Sequence, residues 1–465
     1  MTLGAFAFTM TPMCRAAALA LLAIVLLGVA GVADAMAAAG GGSSGFGGGG
    51  GGGGGFSGGG GGGFSGGGGS GGGTGGTGGL IAVLLIFAVF AVIAVAAMVE
   101  AARARRRRKA RIERVRLASA EAAEDDEAFA ADRVERDASE LFHACQTAWD
   151  ARDHDAIAAL VGPDLRVEWE RRLNDFASKG LHNRVKVQDG PRVAYMGLVN
   201  REKDEEDRVV VEIQATLEDY VLDSHGREIA KTGETGRTTV LREYWTLAKR
   251  DGRWIVGSIE QAAEGLHHLD AEIVASPWSD SRVADEALVE TVVEDKLPEG
   301  FTPADVADLD FEGDAREAAL DLSLADPRFG PDVLEAAARR AVEAWADAVD
   351  GEDAPLEAVA SPEAVQQLLH PNDPTMKTRL VVRGPRVRKI TIEALDASVE
   401  PSTMTIGVDL GGRRYVEDRD TAAVLSGSRD VATDWVEHWK LALDGPESAP
   451  WRLVDPLAGS RAATA

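Results

Sequence analysis

The segment Leu80–Val99 constrains this chain more than any other feature, because it is apolar throughout and carries no charge. About 20 such residues coiled as a helix span roughly 30 Å, the thickness of a bilayer's hydrocarbon core. A helix satisfies its own backbone hydrogen bonds there. Directly behind it stand Arg103, Arg105, Arg106, Arg107, Arg108, Lys109, Arg111, Arg114 and Arg116, whereas the flank before Leu80 is uncharged. This is a stop-transfer pattern, in which the positive side stays in the cytoplasm. The sequence therefore predicts one transmembrane helix over 80–99 and a basic juxtamembrane segment over 100–117. Everything beyond is expected to face the cytoplasm. Arg105, Arg106, Arg107, Arg108 and Lys109 are candidate ligands for anionic lipid headgroups, at about 1 kcal/mol per basic residue near the surface. Retention of the flank during insertion explains the same residues without lipid binding.

Upstream, Arg15 precedes the apolar run Ala16–Val32, and small residues follow at Ala33, Ala35 and Ala37. That order reads as a signal peptide over 1–37, cleaved after Ala35 or Ala37. An uncleaved first helix would make a hairpin with the same final orientation. Residues 38–79 hold most of the 54 glycines, with Phe46, Phe56 and Phe64 spaced among them. Such a stretch buries too little surface to offset its ordering entropy, so a flexible coil outside the membrane is expected. It is not a phosphate loop, since no strand precedes it and no Lys-Ser or Lys-Thr closes it.

The chain's formal net charge is -26, and the region after Arg116 is acidic throughout. A phosphate backbone needs a basic face, so nucleic acid is not an expected partner. Of the two cysteines, Cys14 lies in the signal segment and Cys145 is left alone. No internal disulfide framework follows, and Cys145, on an apolar stripe, reads as a small buried hydrophobe.

The acidic part shows one order of elements twice. Phe129, Val134, Leu141, Cys145 and Ala148 share a helical face. Ile157, Leu160 and Val161 mark a short second helix, and Pro163 opens a third with Leu165, Trp169, Leu173 and Phe176. After Asn183 the period changes to that of strands, separated by the turns at Ser224-His225-Gly226 and Arg250-Asp251-Gly252. This is an α+β layout, helices first and a curved antiparallel sheet after them. In the second copy Asp326-Pro327-Arg328-Phe329 answers Asp126-Glu127-Ala128-Phe129, and Ser361-Pro362 answers Gly162-Pro163. Gly384-Pro385-Arg386-Val387 repeats Gly190-Pro191-Arg192-Val193, Glu437-His438-Trp439 repeats Glu243-Tyr244-Trp245, and Trp451 answers Trp254. The shared order reads as an internal duplication. It predicts domains over 118–277 and 318–457, an acidic linker over 278–317 with a short helix near Val283–Val293, and a tail over 458–465. It also predicts that Trp245 and Trp439 sit at equivalent places on two sheets of the same strand order.

The Asp326-Pro327-Arg328-Phe329 turn, the long alanine-rich helix after it, the Ser361-Pro362 turn and the late Trp439 strand before Trp451 resemble the domain of mitochondrial inner membrane translocase subunit forty-four. The first copy departs from that pattern by lacking proline after Asp126. The resemblance would cover both copies. It implies a bacterial relative and tandem cones like nuclear transport factor two, helices packed on a curved antiparallel sheet. It also implies a membrane-associated adaptor with an apolar groove for lipid or a partner. The family's chaperone-recruiting segment has no counterpart here.

Catalytic and metal chemistry find little support in the sequence. The cone fold also hosts isomerases and hydrolases, which is an analogy of fold alone. Tyr195, Tyr220, Tyr244 and Asp219 are the candidates in the first sheet, and each reads more simply as a sheet residue with a polar tip. His267-His268 reads as a surface pair, since neighbours do not share a helical face. Asp204-Glu205-Glu206-Asp207 lacks the spacing of a calcium loop and reads as a solvated hairpin tip. Trp149, Trp169, Trp245, Trp254, Trp345, Trp435, Trp439 and Trp451 are expected in the cores. No catalytic residue, cofactor or metal is expected. The reading is a non-enzymatic, single-pass protein of the cell inner (plasma) membrane. It would bind lipid and membrane or translocase proteins at the cytoplasmic face, in protein translocation or membrane-protein assembly. A small-ligand binder, or a hydrolase or isomerase using the cone cavity, is the alternative.

Overall fold

The computed structural model describes residues 77–229, 237–277, 309–446 and 449–457. The expected signal segment, nearly all of the glycine-rich stretch, the helix near Val283–Val293 and the tail lie outside them. Helix α1 (Thr77–Asp125) runs through the apolar segment and the basic one as a single element. Nothing in the sequence stops it, for no glycine or proline occurs between Leu80 and Asp125, and alanine, arginine and glutamate are strong helix formers. The side chains of residues 77–91 and of Ala94 are outside the described set, and with them most of the Leu80–Val99 span. Among the described residues no helix is long and apolar enough to cross a membrane. Up to Arg111, α1 belongs to one compact unit, and from Ile112 onward to another that holds both globular halves.

In the first half, α2 (Ala131–Ala151), α3 (His154–Leu160) and α4 (Pro163–Ser178) precede five strands: β1 (His182–Val199), β2 (Arg208–Leu222), β3 (Glu228–Ile229), β4 (Thr238–Arg250) and β5 (Arg253–Gln261). The sheet order is β1-β2-β4-β5, all antiparallel, with the short β3 on the end of β2. The second half adds a first strand, β6 (Leu309–Phe311), and helix α5 (Ala315–Ser323). Then α6 (Pro331–Asp350), α7 (Ala354–Val359) and α8 (Pro362–Leu369) lead into β7 (Thr378–Asp396), β8 (Thr403–Asp418), β9 (Val424–Gly427), β10 (Thr433–Ala442) and β11 (Arg452–Pro456). Its order is β11-β10-β8-β7-β6, with β9 on β8. Apart from β6, this is the first half's order strand for strand. The second body thus starts before residue 318, because β6 pairs parallel with β7 and seals its edge. An exposed strand edge invites pairing with other chains, so covering it protects the sheet. The first half covers the same edge differently, with a parallel bridge from Val274 to Val199.

The copies also agree in detail. Asp126 caps the 3-10 turn Glu127–Phe129 by accepting from the Ala128 N–H, and Asp326 caps Pro327–Phe329 by accepting from Arg328. Trp254 Nε1 donates to the Ala128 carbonyl at 3.1 Å, and Trp451 Nε1 to that of Arg328 at 2.8 Å. Phe129 meets Trp254 edge-on at 5.4 Å, as Phe329 meets Trp451 at 5.5 Å. Gly162 N–H bonds the Val256 carbonyl and Ser361 N–H that of Leu453, each stitching a helix start to the last strand. Trp245 lies between Val211 and Ile259, and Trp439 between Ile406 and Pro456. Both indoles are fully buried beneath an aromatic ring of the long helix, Phe142 at 5.4 Å and Trp345 at 5.5 Å. Such pairs contribute about 0.5–1.5 kcal/mol beyond their buried area. All eight tryptophans named from the sequence are buried.

Candidate functional site

Arg105, Arg106, Arg107 and Lys109 are exposed on α1, and Arg108 is half-buried. At about 100° per residue, five consecutive positions go right round a helix. The positive charge therefore forms a girdle rather than a stripe. Immediately before it on the same helix, Val92, Ile93, Val95, Met98 and Val99 are exposed as well. Further on, Val115 and Ala122, seven residues apart on one face, are buried in the first core.

Inside the first half, the four polar candidates do not converge. Tyr195 is buried in the main core, whereas Tyr244 faces the opposite side of the sheet with Met196 and Leu269. Asp219 lies at the far end, where Asn183 Nδ2 donates to it at 2.7 Å and Trp149 Nε1 donates to Asn183 at 2.8 Å. Tyr220 is half-buried under the Arg237 guanidinium, 4.4 Å from its ring. Among the buried acids of this half is Glu243. It accepts from Trp245 Nε1 at 2.9 Å and from Gln261 Nε2 at 3.3 Å. Burial pushes its carboxyl up to about 8 against these hydrogen bonds. Glu437 accepts from Trp439 Nε1 at 3.1 Å in the same way. The Glu-x-Trp repeat was visible in the sequence, but strand periodicity could not show that the Glu243 carboxyl is fully buried.

At the hairpin tip Asp204 and Glu205 are exposed as expected, and Asp207 is the correction to the sequence reading. Asp207 is buried, and Lys249, itself buried, bridges it at 3.2 Å to Asp204 at 2.9 Å and to Asp126. Burial raises the Asp207 carboxyl to about 6 despite the ammonium beside it. These three carboxylates have the spacing of a cation site, but Lys249 already supplies the charge. Cys145 is fully buried, and burial pushes its thiol up, away from reactive thiolate.

The largest concentration of buried charge lies where the two halves meet. Arg419 grips Glu168 of α4 at 2.5 Å, and Tyr415 donates to Glu264 at 2.6 Å. Arg429 bonds Glu417 at 3.0 Å, and Glu417 lies 3.7 Å from Arg172. Burial lowers Arg172 to about 10, against the pull of Glu417 and Glu168. Arg208 reaches Glu352 with two contacts of 3.1 Å. Buried ion pairs add little net stability, yet removing one partner costs about 3–5 kcal/mol by stranding the other. The network therefore fixes how the halves dock.

His267 and His268 belong to this junction and not to the surface, a second correction. They sit on the 3-10 helix Glu264–Leu269, with ring centroids 4.0 Å apart. His268 Nε2 is 2.9 Å from Glu260 Oε1, and His267 Nδ1 is 3.6 Å from Glu260 Oε2. Burial would raise the Glu260 carboxyl, but His268, His267 and Arg383 outweigh it and hold it well below the usual range. The two rings meet because the chain folds back under the sheet at Gly265, where any Cβ would strike the Tyr244 ring at 2.2 Å. No helical-face argument reaches that geometry.

The family model described as the Tim44-like domain matches residues 115–261. No curated protein matches the sequence. Two solved structures are similar at 10% identity each. One is the intermembrane space region of the chloroplast protein ARC6, over 28% of this chain and 97% of that one, with a TM-score of 0.22. The other is an Ntf2 like protein involved in plasmid conjugation, over 69% of this chain and 96% of that one, with a TM-score of 0.16. Similarity at that level bears on neither fold nor function. The family match begins on the buried face of α1 at Val115, takes in α2 to α4 and ends with β5 at Gln261, so that the whole first half matches the Tim44-like domain.

Proposed function

We propose that this protein is a single-pass adaptor of the cell inner membrane that holds two cone-shaped modules at the cytoplasmic face and does no chemistry itself. The girdle Arg105–Lys109 carries the reading. It is accessible, it follows an exposed apolar stretch, and it lies on the helix that enters the Tim44-like domain. A charge that goes all round a helix suits one that passes through the headgroup layer, where every side meets lipid. One lying flat would need a single basic face. The acidic halves are repelled by the same anionic surface and present themselves to the cytoplasm. A second module of the same topology on one tether raises the effective concentration for a second contact with a membrane or translocase protein. The scattering of Tyr195, Tyr220, Tyr244 and Asp219 supports an adaptor over an enzyme working in the cone.

Flotation of a fragment over 100–465 tests the lipid contact, using vesicles with and without 30% anionic lipid. Binding should require the anionic lipid, fall with salt, and drop at least tenfold when all five basic residues become Gln. Equal binding to neutral vesicles would sink the headgroup role. For topology, a cysteine at Ser460 should resist a membrane-impermeant thiol reagent in intact cells, and labelling there would reverse the orientation.

A further inference from the structure

At the junction of the halves, Glu260 at the end of β5 meets His267 and His268 from the 3-10 helix that follows. The Glu260 side chain is 2% exposed, and its Oε2 has no hydrogen-bond partner. Arg383 is the nearest full positive charge, 3.8 Å from Glu260 Oε1. That guanidinium is already engaged by Asp350, at 2.7 Å to Oδ1 and 2.7 Å to its carbonyl, and by the Ile259 carbonyl at 3.2 Å. Glu260 is therefore left with the two imidazoles as its nearest partners, a buried carboxylate flanked by ring nitrogens, which is an arrangement that suits a cation.

We propose that Glu260, His267 and His268 form a binding site for a divalent transition metal of the zinc class. The donors, two imidazole nitrogens and a carboxylate, are a recognised zinc set with room for a fourth ligand. Bonds of about 2.0 Å in tetrahedral geometry put ligand atoms roughly 3.3 Å apart. Taking one ligand atom from each residue, all three lie within 4.8 Å of one another, with His268 Nε2 2.9 Å from Glu260 Oε1 and His267 Nδ1 3.6 Å from Oε2, close enough for small side-chain rotations to reach that spacing. In the metal-free protein the same Nδ1–H donates to the Glu264 carbonyl at 3.0 Å, a hydrogen bond that the metal would replace. Binding through Nδ1 places the His267 proton on Nε2, which faces Asp350 Oδ2 at 3.8 Å. That is the carboxylate–histidine–metal arrangement in which an outer carboxylate orients the ligand. The second half shapes the site too. Gly384, at φ +57, backs His267 so closely that a Cβ there would lie 2.6 Å from the His267 Cβ. The Gly-Pro-Arg-Val kink repeated in both copies thus does different work in the second, where it makes room for a ligand from the first.

The competing account is an imidazolium on His268 paired with Glu260, with no metal. The full-length protein in detergent, untagged and stripped with EDTA, is titrated with Zn2+ against a chromophoric chelator, and separately with Co2+. One Zn2+ per chain should bind with submicromolar affinity, and Co2+ should give the visible absorption of a tetrahedral nitrogen–oxygen site. His268→Gln and Glu260→Gln should each weaken Zn2+ binding at least 30-fold, and Asp350→Asn about 10-fold. His225→Gln, at an exposed histidine far along the sheet, should change nothing. Far-ultraviolet dichroism and tryptophan emission establish that each variant is folded. The Co2+ spectrum of the wild type is decisive even if a variant is not. Absence of tetrahedral Co2+ absorption in the wild type, or zinc affinity unaltered in folded His268→Gln, overturns the proposal in favour of the imidazolium pair.

Discussion

Replacing Glu243 by Gln should stabilise this protein at alkaline pH and not at acid pH. Glu243 is fully buried, and burial raises its carboxyl from 4.5 to about 8. The unfolded chain releases that proton near 4.5, whereas the folded protein keeps it to about 8. Folding therefore takes up a proton in this window. The group's contribution is most favourable below pH 4.5 and is lost progressively as pH rises through the folded value, at about 1.4 kcal/mol per unit. Across the window the loss is on the order of 4–5 kcal/mol. Glutamine copies the shape of the neutral acid and keeps an acceptor for Trp245 or Gln261. It gives up one of the two hydrogen bonds, worth about 1 kcal/mol. The variant should then be slightly less stable than wild type at pH 5 and more stable by a few kcal/mol at pH 8. Urea unfolding of the purified protein at pH 5, 6.5 and 8, followed by tryptophan emission, reads both. A stability difference that does not change with pH, or one that worsens toward pH 8, would mean that Glu243 is ionised in the fold and would refute the reasoning.

Other outcomes follow from the same geometry. Lys249→Met should cost several kcal/mol at pH 8, where it strands the buried Asp207 and takes the ammonium from Asp126, and less at pH 5, below the value of about 6 that Asp207 holds; thermal unfolding at the two pH values checks it. Arg419→Ala should cost about 3 kcal/mol by taking from the buried Glu168 the guanidinium hydrogen-bonded to it, with only Arg172 and Arg379 left nearby, and hydrogen exchange should loosen first along α4 and the end of β8. Trp254→Phe and Trp451→Phe each remove one hydrogen bond to the corresponding turn of its own copy, so their costs should match within about 1 kcal/mol; a large inequality in denaturant midpoints would count against equivalent roles in the two copies.

The sequence alone determined what local chemistry and periodicity carry. Asp126 and Asp326 followed by phenylalanine announced the capped turns. The tryptophans announced the cores, and the change of period after Asn183 announced the sheet. The order of these signals announced the duplication, because each depends on neighbours a few residues away. The residues 115–261 that match the Tim44-like family are the first of those copies. What only the tertiary structure decided are contacts between distant residues. His267 and His268 looked like surface residues until the chain turned under Tyr244 and Arg383 of the other half closed over Glu260, more than a hundred positions away. Asp207 looked solvated until Lys249, across the sheet, drew it in. Glu243 was in view as half of a repeated motif, but its burial depends on which face of β4 the helices cover. The basic girdle was legible as composition, and its continuity with the domain was decided by α1 running unbroken into the core. Burial and pairing are properties of three-dimensional neighbours, and a charged residue's pattern in sequence is the same whether it meets water or a partner.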